Sequence, residues 1–151
     1  MMIKAVRTNS RHKGFINLVK ELDAYLKIVD GEDHSFYNQF NNIDTLQNVV
    51  IIYLDNILAG CGAFKIFNDN CVEIKRIYTK PEARNKSIAS KILNELELWA
   101  KELGFTSTIL ETGIRQVEAV QFYKKNNYNI IPNYGQYTGV DNSLCFKKEL
   151  I

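Results

Sequence analysis

A short basic turn in the middle of the chain has residue types that suit phosphate binding. Its sequence is Arg84-Asn85-Lys86-Ser87-Ile88-Ala89, between a strand-like segment that ends near Pro81 and an amphipathic helix that begins at Ile88. The first N–H groups of a helix have no acceptor within the helix, and the helix dipole makes that end positive. A turn that joins a strand to a helix start therefore predicts a seat for a phosphate or pyrophosphate group.

Apolar periodicity and turn residues predict the elements that would position this turn. In chain order they are a strand at 3–8, helices at 13–28 and 33–42, strands at 49–54, 57–67 and 71–79, a helix from Ile88, a strand at 107–110, a helix at 116–125, and strands at 130–131 and 143–150. Gly104 suits the C-cap of the helix that begins at Ile88, with Phe105 as its hydrophobic partner. The order predicts one α+β domain over residues 1–151, with a mixed, mostly antiparallel central sheet flanked by helices.

Composition limits the partners of the protein. The 151 residues carry a formal net charge of +2, without a run rich in Lys or Arg, so binding to nucleic acid is disfavoured. No apolar stretch is long enough to cross a membrane, and the N-terminus has no signal core, so we expect a cytoplasmic protein. Cys61, Cys71 and Cys145 form no CxxC or Cys/His cluster. They are expected to be buried, reduced thiols, with no metal site and no disulfide framework.

Two segments resemble motifs of the GNAT N-acetyltransferase superfamily. The turn from Arg84 to Ala89 is similar to that family's pyrophosphate loop, Arg/Gln-x-x-Gly-x-Gly/Ala, with Ser87 where glycine is usual. Residues 119–128 resemble Ala-x-x-x-Tyr-x-x-x-Gly-Phe/Tyr, with Asn127 in place of glycine. The resemblance covers about residues 57–128, and it implies a GNAT-like sheet and acetyl-CoA as the acetyl-donor cosubstrate.

The resemblance also implies which residues hold acetyl-CoA. Main-chain groups of Ile77, Tyr78 and Thr79 would pair with the pantetheine arm, as an added strand would. The pyrophosphate would be bound by the Arg84 side chain and by backbone N–H groups of Asn85, Lys86, Ser87, Ile88 and Ala89. Gln116 stands where the family often has an Asn that contacts the CoA arm. Basic side chains in surface turns are usually only solvated, but the coincidence of strand tip, turn and helix start favours a role in binding.

Tyr123 is the candidate general acid. In many family members the corresponding hydroxyl protonates the leaving thiolate of CoA. A thiol pKa of about 8.5 and a phenol pKa of about 10 are close enough for that transfer. The alternative is that Phe122 and Tyr123 simply pack a helix against the sheet.

Glu73 is the candidate general base. In some relatives an acidic residue near this point removes the proton from the ammonium substrate, usually through a water. Strand alternation predicts that Glu73 shares a face with Lys75 and Ile77. Two alternatives stay open: an exposed Glu73 that pairs with Lys75 or Arg76, and Glu111, at the end of the next strand, as the base.

The sequence says less about the residues that bind the acceptor than about those that bind acetyl-CoA. The first helical region is acidic, and four aromatic residues could wall a pocket; the two groups are Asp23, Asp30, Glu32 and Asp33, and Tyr37, Phe40, Tyr134 and Tyr137. Such residues would suit a cationic amine. Acidic helix faces are more often solvated surface, however, and the aromatic residues are equally explained as core or as contacts of a homodimer.

These features predict an N-acetyltransferase that moves acetyl from acetyl-CoA to a primary amine of a small molecule or peptide. The reaction would be direct attack in a ternary complex, with Glu73 or water as base, a main-chain N–H of the strand at 71–79 as oxyanion donor, and Tyr123 as acid. The alternative is a catalytically inactive CoA-binding sensory or interaction module, motivated by the altered loop glycines. The presence of Tyr123, the candidate general acid, argues against this inactive alternative.

Overall fold

One mixed sheet of seven strands organises the part of the chain that the structure describes. A computed structural model describes residues 1–38 and 42–151. The strands are β1 (Ile3–Thr8), β2 (Asn48–Leu54), β3 (Ile57–Asn68), β4 (Cys71–Thr79), β5 (Ser107–Gly113), β6 (Asn129–Ile131) and β7 (Ser143–Glu149). Their order is β1-β2-β3-β4-β5-β7-β6, and among these strands only the β4–β5 pair is parallel. The predicted mixed, mostly antiparallel sheet is therefore confirmed.

Helices cover both faces of the sheet. They are α1 (Lys13–Asp30), α2 (His34–Asn38), α3 (Ile88–Glu102) and α4 (Val117–Lys125). Neighbouring residues of β2 point to opposite faces: Val49 and Ile51 pack with α1, whereas Val50 and Ile52 pack with α3. The apolar run of this strand is continuous because both of its faces are covered. Part of the predicted second helix, residues 39–41 with Phe40, lies outside the described residues.

Turn chemistry read from the sequence matches the structure at helix and hairpin ends. Gly104 has φ 95°, its N–H donates to the Lys101 carbonyl at 3.0 Å, and the Phe105 N–H donates to the Ala100 carbonyl at 3.0 Å. These two bonds form the glycine cap that was predicted for α3. Asn127, just after α4, has φ 71°, the left-handed conformation that Asn tolerates best among residues with a side chain.

The three cysteines are buried free thiols, as predicted. Cys61 lies in the sheet core, where burial raises the pKa of its thiol to about 12. Such a thiol stays protonated and behaves as a small apolar side chain. No helix within the described ranges is long and apolar enough to cross a membrane.

A bulge interrupts β4 at Arg76. On β3, Cys61 pairs with Tyr78 and Ala63 pairs with Lys75. Two residues of β4, at 76 and 77, therefore face one residue of β3, at 62. Arg76 has φ 61°, which a non-glycine residue seldom adopts in a strand.

The bulge corrects one sequence prediction. Glu73 and Lys75 do lie on the same side of β4, but Ile77 lies on the opposite face, which packs on α3. A Cβ added at Gly62 would come within 2.7 Å of the Ile77 side chain and 2.6 Å of Ile92 in α3. The prediction that Glu73, Lys75 and Ile77 share a face is wrong because alternation does not continue across a bulge.

β4 and β5 pair over a short stretch and then separate, which leaves a gap in the sheet. Cys71, Val72 and Glu73 pair with Ser107, Thr108 and Ile109, and no later ladder pair joins the two strands in the described part of the chain. On its other edge β4 stays paired with β3 as far as Thr79. The second half of β4 therefore presents main-chain groups to the space between the two strands.

Candidate active site

A cleft of about 650 Å³ lies where β4 and β5 part. Residues of α1, β4, β5 and α4 line it, together with the turn before α3. Every catalytic or CoA-binding residue predicted from the sequence borders this cleft except Lys86, whose Nζ instead donates to the Glu82 carbonyl at 3.4 Å. The fold thus brings together residues that are far apart in the chain.

The basic turn forms one end of the cleft. Asn85 has φ 63°, and Ser87, which stands where glycine is usual, has φ 61°, so both residues adopt the left-handed conformation. Ser87 precedes α3, and its side chain makes no capping hydrogen bond to the described residues. The first turn of α3 therefore presents uncapped N–H groups beside Ile88 and Ala89, which line the cleft. This geometry suits an anion such as pyrophosphate.

The Arg84 side chain lies at the same end of the cleft. Its Nε donates to the Thr79 carbonyl at 3.3 Å, which holds the guanidinium near the tip of β4. The residue is exposed, so its other donors can reach a ligand.

Main-chain groups of β4 form the wall of the cleft that was predicted to hold the pantetheine arm. The Tyr78 hydroxyl is directed away from it and donates to Glu21 Oε1 of α1 at 3.2 Å. The Thr79 hydroxyl oxygen is buried and has no hydrogen-bond partner within residues 1–38 and 42–151. A buried hydroxyl without a partner at the edge of a cleft fits a ligand that supplies one.

Tyr123 lies on α4 at the middle of the cleft. Its ring contacts Phe122, Tyr128 and Phe146, at centroid distances of 5.2, 5.8 and 6.1 Å, and the residue is 8% exposed. Burial first, and the nearby Glu111 carboxylate second, hold the pKa of its hydroxyl above the ordinary value for tyrosine. Tyr123 therefore packs as a core residue and still borders the cleft as a protonated donor.

Glu73 is buried, contrary to the exposed alternative, and both of its carboxylate oxygens have partners. Tyr134 donates its hydroxyl proton to Glu73 Oε2 at 2.6 Å, while Lys75 Nζ and Lys65 Nζ lie 3.7 and 3.8 Å from Oε1. The expected pairing with Lys75 is present, although Glu73 is only 3% exposed. Both carboxylate oxygens thus have partners, which leaves this residue poorly placed to accept a proton from a ligand.

Glu111 is in a different environment. The strand predicted to end at Leu110 continues to Gly113, so Glu111 lies inside β5 and borders the cleft. Its Oε2 is buried and has no hydrogen-bond partner in the described ranges. Burial is the main reason that its pKa is raised to about 7; the charges of Asp30 and Glu73 add to the rise, and contacts with Ser143 and Lys75 oppose it. A carboxylate of this pKa can accept a proton near neutral pH.

The acceptor end of the cleft is bordered by the C-terminal part of α1. Leu22, Leu26 and Asp30 are spaced four residues apart, so they share one face of the helix, and all three line the cleft. Asp30 is 6% exposed, and burial raises its pKa above the usual value. The sequence named Asp30 as one of four acidic residues that would suit a cationic amine, with solvated surface as the alternative, and did not distinguish it from the other three. Its spacing from Leu22 and Leu26, which places it on the apolar face of the helix, was the signal that could have identified it.

Two of the aromatic residues predicted to wall a pocket do so. Tyr37 and Tyr137 line the cleft, and the Tyr37 hydroxyl lies 2.8 Å from Ser143 Oγ. Tyr134 instead forms the hydrogen bond to Glu73. Phe40 is outside the described residues.

Comparison with known proteins gives consistent results. The family model described as the acetyltransferase (GNAT) family matches residues 15–128. An IAA acetyltransferase of Azospirillum brasilense is 27% identical over 153 residues, which cover 98% of each protein. A protein from Klebsiella pneumoniae that is considered an acyl-CoA N-acyltransferase superimposes with a TM-score of 0.83 at 24% identity, over 99% of each chain. The PaiA N-acetyltransferase of Thermoplasma acidophilum, solved in complex with coenzyme A, superimposes with a TM-score of 0.73 at 20% identity, over 99% of each chain.

Proposed function

The chain belongs to the acetyltransferase (GNAT) family, and from this premise we propose that it transfers acetyl to a primary amine of a small molecule or peptide. It is an acetyltransferase, and acetyl-CoA is its acetyl donor. One observation carries the proposal. The gap between β4 and β5 runs from the start of α3 to the side chains of Glu111 and Tyr123. A thioester held along it would lie between a proton acceptor and a proton donor.

Binding of the donor would use three parts of the cleft. Arg84 and the N–H groups from Asn85 to Ala89 would hold the pyrophosphate. The main chain of Ile77, Tyr78 and Thr79 would pair with the amide groups of the pantetheine arm, and Gln116 would contact that arm from the opposite side. Because a strand-like arm has a fixed direction, this pairing would place the thioester near Glu111 and Tyr123.

The reaction would be a direct transfer. The ammonium group of the acceptor gives one proton to Glu111, and the neutral nitrogen attacks the thioester carbonyl carbon. A main-chain N–H of β4 donates to the carbonyl oxygen as it gains negative charge. The C–N bond forms, the nitrogen loses a second proton, the C–S bond breaks, and the leaving thiolate takes the hydroxyl proton of Tyr123. The second nitrogen proton restores the tyrosine hydroxyl and the proton on Glu111 passes to solvent, so the products are the acetylated amine and CoA thiol.

Glu111 is a better base than Glu73 for two reasons. Its Oε2 has no partner in the described residues and borders the cleft, whereas both oxygens of Glu73 are occupied by Tyr134, Lys75 and Lys65. Its pKa of about 7 also lies nearer to neutral pH than that of an ordinary carboxyl group. We therefore assign the proton acceptor to Glu111, and we give Glu73 the structural task of holding Tyr134 and Lys75 in place.

The two catalytic groups would assist each other. The charge of Glu111 contributes to the raised pKa of Tyr123. When Glu111 takes up the substrate proton, that charge disappears and the tyrosine hydroxyl becomes a stronger acid. The acid would thus gain strength at the stage at which the thiolate leaves.

The test is to follow CoA thiol release from acetyl-CoA with a panel of alkylamines, amino acids and peptides, and to identify products by mass spectrometry. We expect amine-dependent release with one acetyl group added to nitrogen. Release that is independent of every amine, or an acetyl group found on oxygen or sulfur, would contradict transfer to a primary amine.

A further inference from the structure

We propose that the acceptor is a small linear diamine, with one amino group acetylated at Glu111 and a second, charged ammonium group bound by Asp30. This inference rests on the proposed N-acetyltransferase function and narrows its substrate. The side chains of Asp30 and Glu111 both border the cleft that is also lined by β4, the strand that would hold the pantetheine arm.

Within the described residues, the carboxylate of Asp30 has no hydrogen-bond partner. It is 6% exposed, and no donor within residues 1–38 and 42–151 makes a hydrogen bond to either of its side-chain oxygens. The nearby Arg115 guanidinium is directed elsewhere: it donates to the Asp30 carbonyl oxygen at 2.7 Å, and lies 3.7 Å from Asp33. His34 lies near enough to influence the charge of Asp30, but forms no hydrogen bond with it. A buried carboxylate is costly unless a cation compensates it, so the site fits a cationic ligand group.

Two cations of β4 that line the cleft already have an acidic partner. Lys75 lies 3.7 Å from Glu73, and Arg76 forms an ion pair with Asp23. We therefore expect a ligand to supply the positive charge that compensates Asp30 and the partnerless oxygen of Glu111 in this part of the described chain. One ammonium group could satisfy only one of them at a time, whereas a diamine satisfies both.

The spacing of the two carboxylates sets the length of the ligand. Glu111 and Gly113 are two residues apart and face the same side of β5, so their Cβ positions are separated by about 7 Å. A Cβ at Gly113 would lie 3.4 Å from Asp30 Oδ1. With carbon–carbon bonds of about 1.5 Å, a linear diamine of about four or five carbons covers a distance of this order. Leu22 and Leu26 line the cleft on the same face of α1 as Asp30 and would contact the methylene chain.

The size of the cleft favours a small molecule over a peptide. Its volume of about 650 Å³ has to hold the pantetheine arm as well as the acceptor. Ligand pockets of this size, roughly 300–1,000 Å³, usually enclose one small molecule. We therefore commit to the diamine, and a lysine-containing peptide becomes an outcome of the test.

The experiment compares three acceptors that share a four-carbon chain. Putrescine ends in a second ammonium, n-butylamine in a methyl group, and γ-aminobutyrate in a carboxylate. We expect kcat/KM to fall in that order, by about tenfold or more from putrescine to n-butylamine, the size of one charge-assisted hydrogen bond. Asp30→Asn should bring the putrescine to n-butylamine ratio close to one. Glu32→Gln, which removes an exposed acidic charge nearby, should leave the ratio as it is.

Each result decides between specific alternatives. If no amine is acetylated, the proposed function itself fails. If amines are acetylated with equal efficiency, or if a lysine-containing peptide is preferred to putrescine, only the diamine inference is overturned. If Asp30→Asn lowers kcat/KM for every acceptor by the same factor, Asp30 is structural and the inference is again overturned.

Thermal unfolding and calorimetric titration with CoA would check that Asp30→Asn is folded. If that variant does not fold, the comparison of the three acceptors with the wild-type protein still decides the question. Calorimetry of putrescine and n-butylamine with the wild-type CoA complex adds a readout that does not depend on turnover. Equal affinities there would reject a second cation site.

Discussion

Three carboxylates of the cleft show how environment determines what one chemical group can do. Glu73 receives a hydrogen bond from Tyr134 and lies near two lysines, so its oxygens are occupied. Glu111 has a buried oxygen without a partner among the described residues, and its pKa is about 7. Asp30 is buried at the end of α1. In our proposal the same charge therefore serves as a structural link in Glu73, a proton acceptor in Glu111 and a cation site in Asp30.

The pH dependence of the reaction should follow Glu111. Since the base must be ionised, kcat/KM of the wild-type protein should fall as pH drops through about 7, where Glu111 takes up a proton. Glu111→Gln should lower turnover at neutral pH by a factor of about 10²–10⁴, the usual contribution of a positioned base. Its remaining activity should rise steadily toward high pH, as more of the amine becomes neutral. Steady-state rates between pH 5.5 and 9.5, expected to be about the stable range, would measure this.

Glu73→Gln is the matched control for that profile. It removes the same charge from the same cleft, but from a residue that we do not assign to proton transfer. We expect the inflection to persist, moved to a somewhat lower pH because the Glu73 charge adds to the raised pKa of Glu111, with the other changes mainly in stability or in overall rate. An inflection that disappears in Glu73→Gln and persists in Glu111→Gln would return the role of base to Glu73.

Tyr123→Phe tests the acid. The ring should still pack against Phe122 and Phe146, so affinity for CoA should be almost unchanged. Turnover should fall roughly tenfold or more, since proton transfer to the leaving thiolate is lost. Calorimetric titration and steady-state kinetics would separate the two quantities. Unaltered turnover would mean that Tyr123 has only a packing role.

A neighbouring tyrosine supplies the control. The Tyr128 hydroxyl lies away from the cleft lining, 2.7 Å from Thr108 Oγ1, and donates to Glu97 Oε2 at 2.8 Å. Tyr128→Phe should lower the free energy of unfolding by about 1–3 kcal/mol, because buried partners lose a hydrogen bond. It should leave turnover nearly as it was. The two Tyr→Phe variants thus contrast an effect on chemistry with an effect on stability.

At the residue scale the sequence indicated which groups would meet, but not which would be available. The turn from Arg84 to Ala89 and Tyr123 could be proposed from the sequence because each lies in a local motif, and residues of both line the cleft. The choice between Glu73 and Glu111 depended on Tyr134, a residue 61 positions from Glu73. Such a contact forms only when distant strands come together, so no local pattern contained it.

At the scale of elements, the turn before α3 shows how a loop can replace glycine. Asn85 and Ser87 adopt positive φ values that glycine would adopt without strain. Ser87→Gly should therefore keep or slightly tighten CoA binding, although it also loosens the free loop. Ser87→Ile should cost much of the affinity, because a β-branched residue is strained at φ 61° and obstructs the approach of the pyrophosphate.

Calorimetric titration of CoA with the wild type and both variants, at one salt concentration, measures these effects. Thermal unfolding of Ser87→Ile distinguishes a local obstruction from a loss of fold. Unchanged CoA affinity in a folded Ser87→Ile protein would show that this turn does not hold the pyrophosphate.

The boundaries of the elements were more predictable than their irregularities. The strand at 71–79 and the helix start at Ile88 agree with the structure, because Pro81, Gly104 and the apolar spacing are local signals. The bulge at Arg76 was not predicted. Arginine has no particular preference for φ 61°, and the extra residue is visible only in the register with β3.

For the whole molecule, Glu111 connects activity with stability. Its pKa in the folded protein, about 7, lies above the ordinary value of 4.5. The folded state therefore holds this proton more tightly than the unfolded state, and the contribution of Glu111 to stability is fully present below pH 4.5 and is lost as pH rises through about 7. Glu111→Gln should have nearly the wild-type free energy of unfolding at low pH and be the more stable protein at pH 8.

Denaturant unfolding at several pH values would measure that difference, which we expect to reach about 1–3 kcal/mol. Exposed Glu118→Gln is a suitable control, since it should show no comparable dependence on pH. A difference that shrinks as pH rises would mean that Glu111 is stabilised as a carboxylate, contrary to its burial.

The separation of β4 from β5 also affects how readily another chain could pair with the unpaired edge of β4. Unpaired N–H and C=O groups along a strand are a template on which another chain can add, and proteins usually cover or distort such edges. Here the unpaired edge of β4 lies at the bottom of a cleft, with Ile88 of α3 and Phe122 of α4 beside it, and the bulge at Arg76 breaks its flatness. We expect a narrow, flexible arm to reach those groups more easily than a second polypeptide strand, which carries side chains on both faces. The cleft shape that would admit the cosubstrate would therefore also disfavour pairing of another chain along β4.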